Sequence, residues 1–368
     1  MATRDTQARL FGYPADGIAY NECLYRELAT LGIAAEPGEW SVRWIHQHMR
    51  RGDILHLHWP SFYYYDRKSV YRTLKGMVRF IAVLAYVRLK GVRIFWTAHN
   101  LYPHDGGRSL LVHRLARRLV IACSERIFVH GPSAAGTLER EFPGCADKQV
   151  LIRHGHWIDY YPQNQGREQA RAALGLRRET FVYGFVGSCK PYKGLEELIA
   201  AFAQQSGNCT LVIAGHFQSD HYKQEIEQRL AALPAGRTQL IARFLADDEI
   251  QRHVAAIDVL VLPFREVLTS GSLLLGLSFG TPVVAPRIGA VIDVMNEATG
   301  VLYDSQRPEA LGEAMQRVRS ARFDAAQIVA HARTLTWSSA ATALLEAATD
   351  ERVANMMPPD PVEHPGQS

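Results

Sequence analysis

The stretch from Leu260 to Pro286 narrows the possible folds more than any other part of this chain. Leu260-Val261-Leu262-Pro263-Phe264 reads as a short buried strand and Thr269-Ser270-Gly271-Ser272 as a hydroxyl- and glycine-rich loop. Leu273 to Phe279 reads as an apolar helix, Gly280 as a turn and Thr281-Pro282-Val283-Val284-Ala285 as a second buried strand. Two strands without apolar/polar alternation, joined through a helix, imply a parallel sheet covered on both faces. The same alternation predicts strands at 53–58, 92–97, 124–129 and 149–153, then at 181–186, 210–214, 239–242 and 258–262. Helices are predicted over 18–31, 67–90, 109–122 and 249–256, the last opened by a capping-box spacing of Asp248 and Gln251.

This pattern is α/β, with two doubly wound Rossmann-like domains facing across a cleft, where the carboxyl ends of parallel strands place ligands. Residues 1–155 are expected to form one domain and 156–350 the other, with the final helix crossing back to the first and 351–368 a disordered, proline-rich tail. Five scattered cysteines (Cys23, Cys123, Cys145, Cys189, Cys209) have no CxxC spacing, which fits a reducing compartment and carries no zinc signal. The longest apolar run, Phe80 to Val87, is eight residues, against about 20 for a membrane span. With no apolar N-terminal leader, the expected location is the cytoplasm.

Two loops carry the strongest chemical signal. Gly187-Ser188-Cys189-Lys190-Pro191-Tyr192-Lys193-Gly194 follows a strand and opens a helix. Lysine is the wrong charge for a helix N-terminus unless an anion sits there, and Lys190 and Lys193 together match a diphosphate. Thr269, Ser270, Gly271 and Ser272 offer hydroxyls and unpaired N–H groups at the equivalent end of a later strand. In the first half, His56 and His58 alternate on one strand face, followed by Trp59, and His99-Asn100 leads into Pro103-His104-Asp105 after another strand.

Taken with His154-Gly155-His156, Pro191-Tyr192-Lys193-Gly194 and Ser270-Gly271-Ser272-Leu273-Leu274-Leu275, these residues resemble the two-domain glycosyltransferases of GT-B type. Within these the chain is similar to the β-mannosyltransferase family of xanthan-type exopolysaccharide assembly, over residues from about 11 to 345. The resemblance implies a nucleotide-sugar donor, GDP-mannose favoured and a UDP-sugar possible, and a lipid-diphosphate-linked saccharide acceptor. The donor would lie on Gly187, Lys190, Lys193, Thr269, Ser270, Gly271 and Ser272, with its base near Arg243-Phe244-Leu245. His58, Trp59, His99, Asn100, His154 and His156 would line the acceptor side or the cleft. No cofactor and no metal is called for, because protein cations hold the diphosphate.

Retaining enzymes of the large sucrose-synthase-like family carry an E-x7-E pair. Here its positions hold Val267 and Leu275, with Glu266 one place off. An inverting reaction then needs a general base in the acceptor half, for which Asp105 is the first candidate and His104 the second. A retaining transferase, an epimerase of the same fold and a catalytically silent sugar-nucleotide-binding subunit remain as alternatives.

Charge divides the chain: residues 1–155 carry a net +9 and the remainder −5. Arg67, Lys68, Arg72, Lys75, Arg79 and Arg88 stud a helical stretch that also holds Val70, Leu74, Val78 and Ile81. Confined to the acceptor half, this excess predicts peripheral contact with an anionic membrane at its inner face. Nucleic acid is not an expected partner, since no binding motif is present.

Overall fold

In a computed structural model, the protein is described over residues 8–103 and 110–350. His104, Asp105 and the 351–368 tail lie outside the described residues. The first sheet contains β1 (Leu10–Tyr13), β2 (Ala35–Pro37), β3 (Ile54–Leu57), β4 (Arg93–Thr97), β5 (Arg126–Val129) and β6 (Gln149–Leu151). Its order is β2-β1-β3-β4-β5-β6. The second contains β7 (Phe181–Val186), β8 (Cys209–Ala214), β9 (Thr238–Ile241), β10 (Val259–Val261), β11 (Val283–Pro286) and β12 (Gly300–Tyr303). Its order is β12-β11-β10-β7-β8-β9, parallel throughout.

That order matters for the site. From β7 the chain winds outward through β8 and β9, then returns to β10 on the other flank of β7. The direction of winding reverses between β7 and β10, so the loops leaving these two strands diverge and leave a crevice between them. In the first sheet the equivalent reversal falls between β1 and β3.

Helices separate the strands: α1 (Ala19–Thr30), α2 (Val42–His48), α3 (Val70–Leu89), α4 (Leu110–Cys123), α5 (Pro132–Glu141) and α6 (Arg167–Ala173). They continue with α7 (Leu195–Ala203), α8 (Asp220–Ala231), α9 (Asp247–Ala256), α10 (Gly271–Ser278) and α11 (Ala290–Val294). The last are α12 (Ala310–Ser320), α13 (Ala325–Arg333) and α14 (Trp337–Thr349). Among the described residues, one compact unit takes in 8–97, 110–128 and 341–350, and the other 98–103 and 129–340.

The central strands match the expectation from their apolar runs. Every residue of β3, β4 and β11 is buried, and each large apolar side chain so covered stabilises the fold by roughly 1.5–3 kcal/mol. Three strands had no sequence signal. β2 is only Ala-Glu-Pro at a sheet edge, and β12 begins at Gly300 on the opposite edge of the second sheet. β1 contains Gly12, where a Cβ would come within 2.8 Å of Ala15 and Tyr25.

The start of α9 also departs from expectation. Its N-cap is Ala246, whose N–H donates to Glu249 at 3.1 Å, so the reciprocal Asp248/Gln251 box does not form. Gln251 instead turns its amide oxygen to the backbone N–H groups of Asn164 and Gln165, at 2.9 and 3.1 Å.

In the first unit, α3 faces two ways. Met77, Phe80, Val83, Leu84 and Val87 point into the core. Tyr71, 75% exposed, and Val78, 70% exposed, line the outer face with Val70, Leu74 and Ile81. Leu110, Leu111 and Leu115 of α4 are also exposed. The apolar residues between the basic side chains of α3 are thus largely surface, although most such residues on an amphipathic helix pack inward. The end of α14 is anchored in the same unit by buried Arg93, which pairs with Glu125 and donates to the carbonyls of Ala347 and Ala348.

Candidate active site

Glycine geometry draws the two expected loops together. Gly187 leaves β7 at φ +140, and its N–H donates to Ala214 O at 3.0 Å. A Cβ on Gly215, at φ +156, would lie 1.8 Å from Gly187 O, so β7 and β8 can leave the sheet this close together only because Gly215 lacks one. Pro191–Lys193 forms a single 3-10 turn, and Gly194 then takes the left-handed conformation (φ +71) that starts α7. A Cβ there would meet Pro263 O at 2.0 Å. Arg265 N donates to Tyr192 O at 2.9 Å, fastening this loop to the exit of β10.

Ser270 is the N-cap of α10, accepting from Leu273 N at 3.2 Å. The first-turn N–H groups of Gly271 and Ser272 have no intrahelical acceptor available. Ser272 Oγ lies 2.8 Å from the Cβ position of Gly187, so the two loops touch. Lys193 is 7% exposed, its Nζ 4.5 Å from the ring centre of Phe264 and 5.2 Å from that of Tyr192. Burial pushes its ammonium down to about 7, with Lys190 adding like-charge repulsion. Gly187, Lys190, Lys193, Ser270, Gly271 and Ser272 therefore belong to one local constellation, with Thr269 half-buried at its edge.

Arg243 is placed differently. Its guanidinium forks onto Glu249, at 2.6 and 2.8 Å, and also donates to Phe244 O. This pair, with the N–H of Ala246, holds the Glu249 carboxyl down at about 2.

A second group lies in the same unit. The rings of His99 and His130 are 5.5 Å apart, and those of His130 and His154 are 5.7 Å apart. Burial holds His154 down at about 4 and His130 well below the usual imidazole range, so both are neutral at pH 7. His154 Nδ1 donates to Gly155 O at 2.8 Å, which makes Nε2 its acceptor nitrogen. That nitrogen lies 3.8 Å from the Cβ position of Gly271. Trp157 Nε1 donates to Gly271 O at 2.9 Å, so the His154–Trp157 segment seats directly against the start of α10. The backbone N–H of His156 donates to Leu335 O, its carbonyl accepts from Trp337 Nε1 at 2.7 Å, and its ring Nδ1 accepts from Ile158 N–H at 3.3 Å. Asn100 follows His99 after β4.

His58 belongs to the first unit and is 1% exposed. The hydroxyl of Tyr25 bridges His58 Nε2 at 2.7 Å and His56 Nδ1 at 3.0 Å, while His56 Nε2 meets Thr97 Oγ1 at 2.8 Å. Trp59 stacks on Phe62, with ring centres 5.7 Å apart.

Two residues escaped the sequence reading. His130 follows β5 as His99 follows β4, and the Gly131-Pro132 break behind it was the available signal. Asp293 caps α5 from 160 residues away in sequence: Ser133 N donates to Oδ2 at 2.9 Å and Ser133 Oγ to Oδ1 at 2.8 Å. No local pattern could reveal that cap. His130, Arg153, His154, Thr269, Ser270 and Asp293 are among the residues around a cavity of about 340 Å³.

Residues 180–320 match the family described as "Glycosyl transferases group 1". A GDP-mannose:glycolipid 4-beta-D-mannosyltransferase of Xanthomonas campestris pv. campestris is 29% identical over 284 residues, 74% of this chain and 73% of that protein. A D-inositol 3-phosphate glycosyltransferase of Corynebacterium glutamicum (strain R) is 26% identical, covering 66% of this chain and 61% of its own. Among solved structures, Anabaena HepE in complex with UDP-glucose superposes with a TM-score of 0.66 at 17% identity, over 95% of this chain and 100% of that one. Sucrose-phosphate synthase from Thermosynechococcus elongatus gives 0.64 at 18% identity, over 92% and 82%. The two parallel sheets and these likenesses define the fold as GT-B, and the chain is a glycosyltransferase. Within that class it resembles the glycolipid β-mannosyltransferase, as the motifs implied.

Proposed function

We propose that this glycosyltransferase moves a hexose, with mannose favoured, from a nucleotide sugar to a lipid-linked oligosaccharide during exopolysaccharide or capsule assembly. The observation that carries the reading is the contact between the 187–194 loop and the start of α10, with Lys193 buried beside it. The diphosphate would lie on Lys190, Lys193 and the N–H groups of Ser270, Gly271 and Ser272. Mannose and the glycolipid acceptor rest on the likeness to the Xanthomonas enzyme. In this reading residues 156–350 hold the donor and 1–155 the acceptor.

Transfer proceeds with inversion. The acceptor hydroxyl attacks the anomeric carbon and gives its proton to Asp105. The bond from that carbon to the diphosphate oxygen breaks, and its electron pair stays on the β-phosphate. Lysine charge and the α10 dipole stabilise that developing charge. Val267 and buried Leu275 at the retaining-pair positions support inversion, because neither can act as a nucleophile.

The outer face of α3 and α4 would rest on anionic lipid at the inner side of the cell membrane. There Tyr71, Leu74, Val78 and Leu111 supply apolar contact among Arg72, Lys75 and Arg118.

The test is transfer from labelled GDP-mannose and UDP-glucose to a lipid-linked saccharide extract, with the product's anomeric configuration read by NMR. A β-linked mannoside is expected. An α-linked product would defeat inversion, and label that moves only from UDP-glucose would defeat mannose. Asp105→Asn should lower kcat by about 10²–10⁴-fold with little change in donor affinity. Turnover near the parent level would remove Asp105 as the base, and a larger loss in His104→Ala would move that role to His104.

A further inference from the structure

Among the described residues Lys193 is buried with no counter-ion, while Glu196 and Glu197 nearby are held by Arg265. From its own loop it faces Lys190, of like charge, together with Tyr192 and Cys189, whose thiol burial pushes up to about 12 and so keeps neutral. From the exit of β10 come the ring of Phe264, Arg265 and Glu266, the last acting on the Tyr192 hydroxyl. From α7 come Glu196 and Glu197, both held by Arg265 at 3.1 and 2.7 Å, with Glu196 also accepting from the Tyr222 hydroxyl at 3.0 Å. Among the described residues, no acceptor lies within hydrogen-bond reach of Lys193 Nζ. Its surroundings are two aromatic faces, which favour a cation weakly compared with a carboxylate.

We propose that Lys193 carries its charge only when a phosphate group lies against it, so that binding the donor's diphosphate draws one proton into the site. This rests on the donor-site reading above and adds a property to it. A buried ammonium without a partner sheds its proton more easily, and a bound dianion restores it. The downward push on Lys193 to about 7 agrees in direction with that geometry. A lysine of this kind selects by ligand charge: a neutral or singly charged group does not repay its protonation, whereas a diphosphate does.

The experiment is calorimetric titration of the intact protein with UDP-glucose and with GDP-mannose, whose phosphates do not titrate between pH 7 and 9. Binding is measured at pH 8 in HEPES and in Tris, phosphate-free buffers with different heats of ionisation. An ammonium near 7 in the empty site is about one-tenth protonated at pH 8, so an uptake of about 0.9 proton per bound nucleotide sugar is expected. Affinity should fall about 50-fold from pH 7 to pH 9. In Lys193→Arg, whose guanidinium stays charged, the proton uptake should vanish and the pH profile should flatten. Binding with the same heat in both buffers and flat affinity would overturn the proposal while leaving the donor site standing. Uptake that persists in Lys193→Arg would also overturn it, by assigning the proton to another group. Failure of both nucleotide sugars to bind would take down the donor reading as well.

Discussion

His56 in the first unit and Lys193 in the second are both basic side chains taken out of water, and they end up in opposite conditions. His56 has both ring nitrogens engaged, with Thr97 on one side and Tyr25 on the other, and burial holds it neutral at about 3. Lys193 has ring faces and a like charge around it and no acceptor of its own among the described residues. A buried polar group whose bonds are filled by the protein is architecture. One whose bonds are left for something else costs stability and marks a place where a ligand is expected. Burial alone does not separate the two cases; the partner list does.

The sharpest way to break this contrast is to remove each group. Lys193→Met should weaken nucleotide-sugar binding by about 10- to 100-fold, since a charge-assisted contact is worth about 1.5–3 kcal/mol. The same change should leave the empty protein at least as stable, because no internal bond is lost. Calorimetry and denaturant unfolding on one sample check both halves, and a fall in stability with unchanged affinity would make Lys193 architectural like His56.

The pH dependence of the ligand-free protein separates the pair next. Both are bases held below their unfolded values, so each binds fewer protons folded than unfolded and each favours the folded state as pH rises. For Lys193 the window runs from about 7 to the ordinary lysine value of 10.5, and for His56 from about 3 to 6.5. Between pH 7 and 9 the stability difference between the parent and Lys193→Met should therefore move by about 2 kcal/mol in the parent's favour. Urea midpoints at several pH values would show it, and a constant difference would mean Lys193 is charged in the empty site.

Tyr25→Phe tests the satisfied side. It strips one hydroxyl from between two buried imidazoles and should cost about 1–2 kcal/mol, with nucleotide affinity unchanged. A change in affinity without a change in unfolding would give that network a role in binding. The smallest effect belongs to Asp293→Ala, which uncaps α5 and should cost about 1 kcal/mol, largely recovered by Asp293→Asn. Equal losses in both variants would mean the charge, not the cap, is what α5 needs.

Much of the geometry of the 187–194 loop and the start of α10 was legible in the chain because its signals are local. A six-residue strand with five buried positions, Gly187, a turn with two lysines and Gly194 lie in one continuous segment, and each has a backbone reason visible at its own position. The same holds for Ser270 as the cap of α10. The weak strands β1, β2 and β12 were not legible, because three or four residues with Gly or Pro among them carry no periodicity. Pairing with a neighbour, not propensity, makes them strands.

The amino-acid sequence by itself determined the alternating α/β order, the parallel sheets and the two loops that offer lysines, hydroxyls and free N–H groups. These follow from hydrophobic pattern and turn chemistry within a few residues. Tertiary structure alone decided which polar groups are answered. It gave Arg243 to Glu249, Tyr25 to both His56 and His58, and Asp293 to the start of α5. Among the described residues it also left Lys193 unanswered, and it turned Tyr71 and Val78 outward. Such partners lie up to 160 residues apart in the chain, and only the crossing of strands and helices brings them within the 3 Å at which a hydrogen bond is made or withheld.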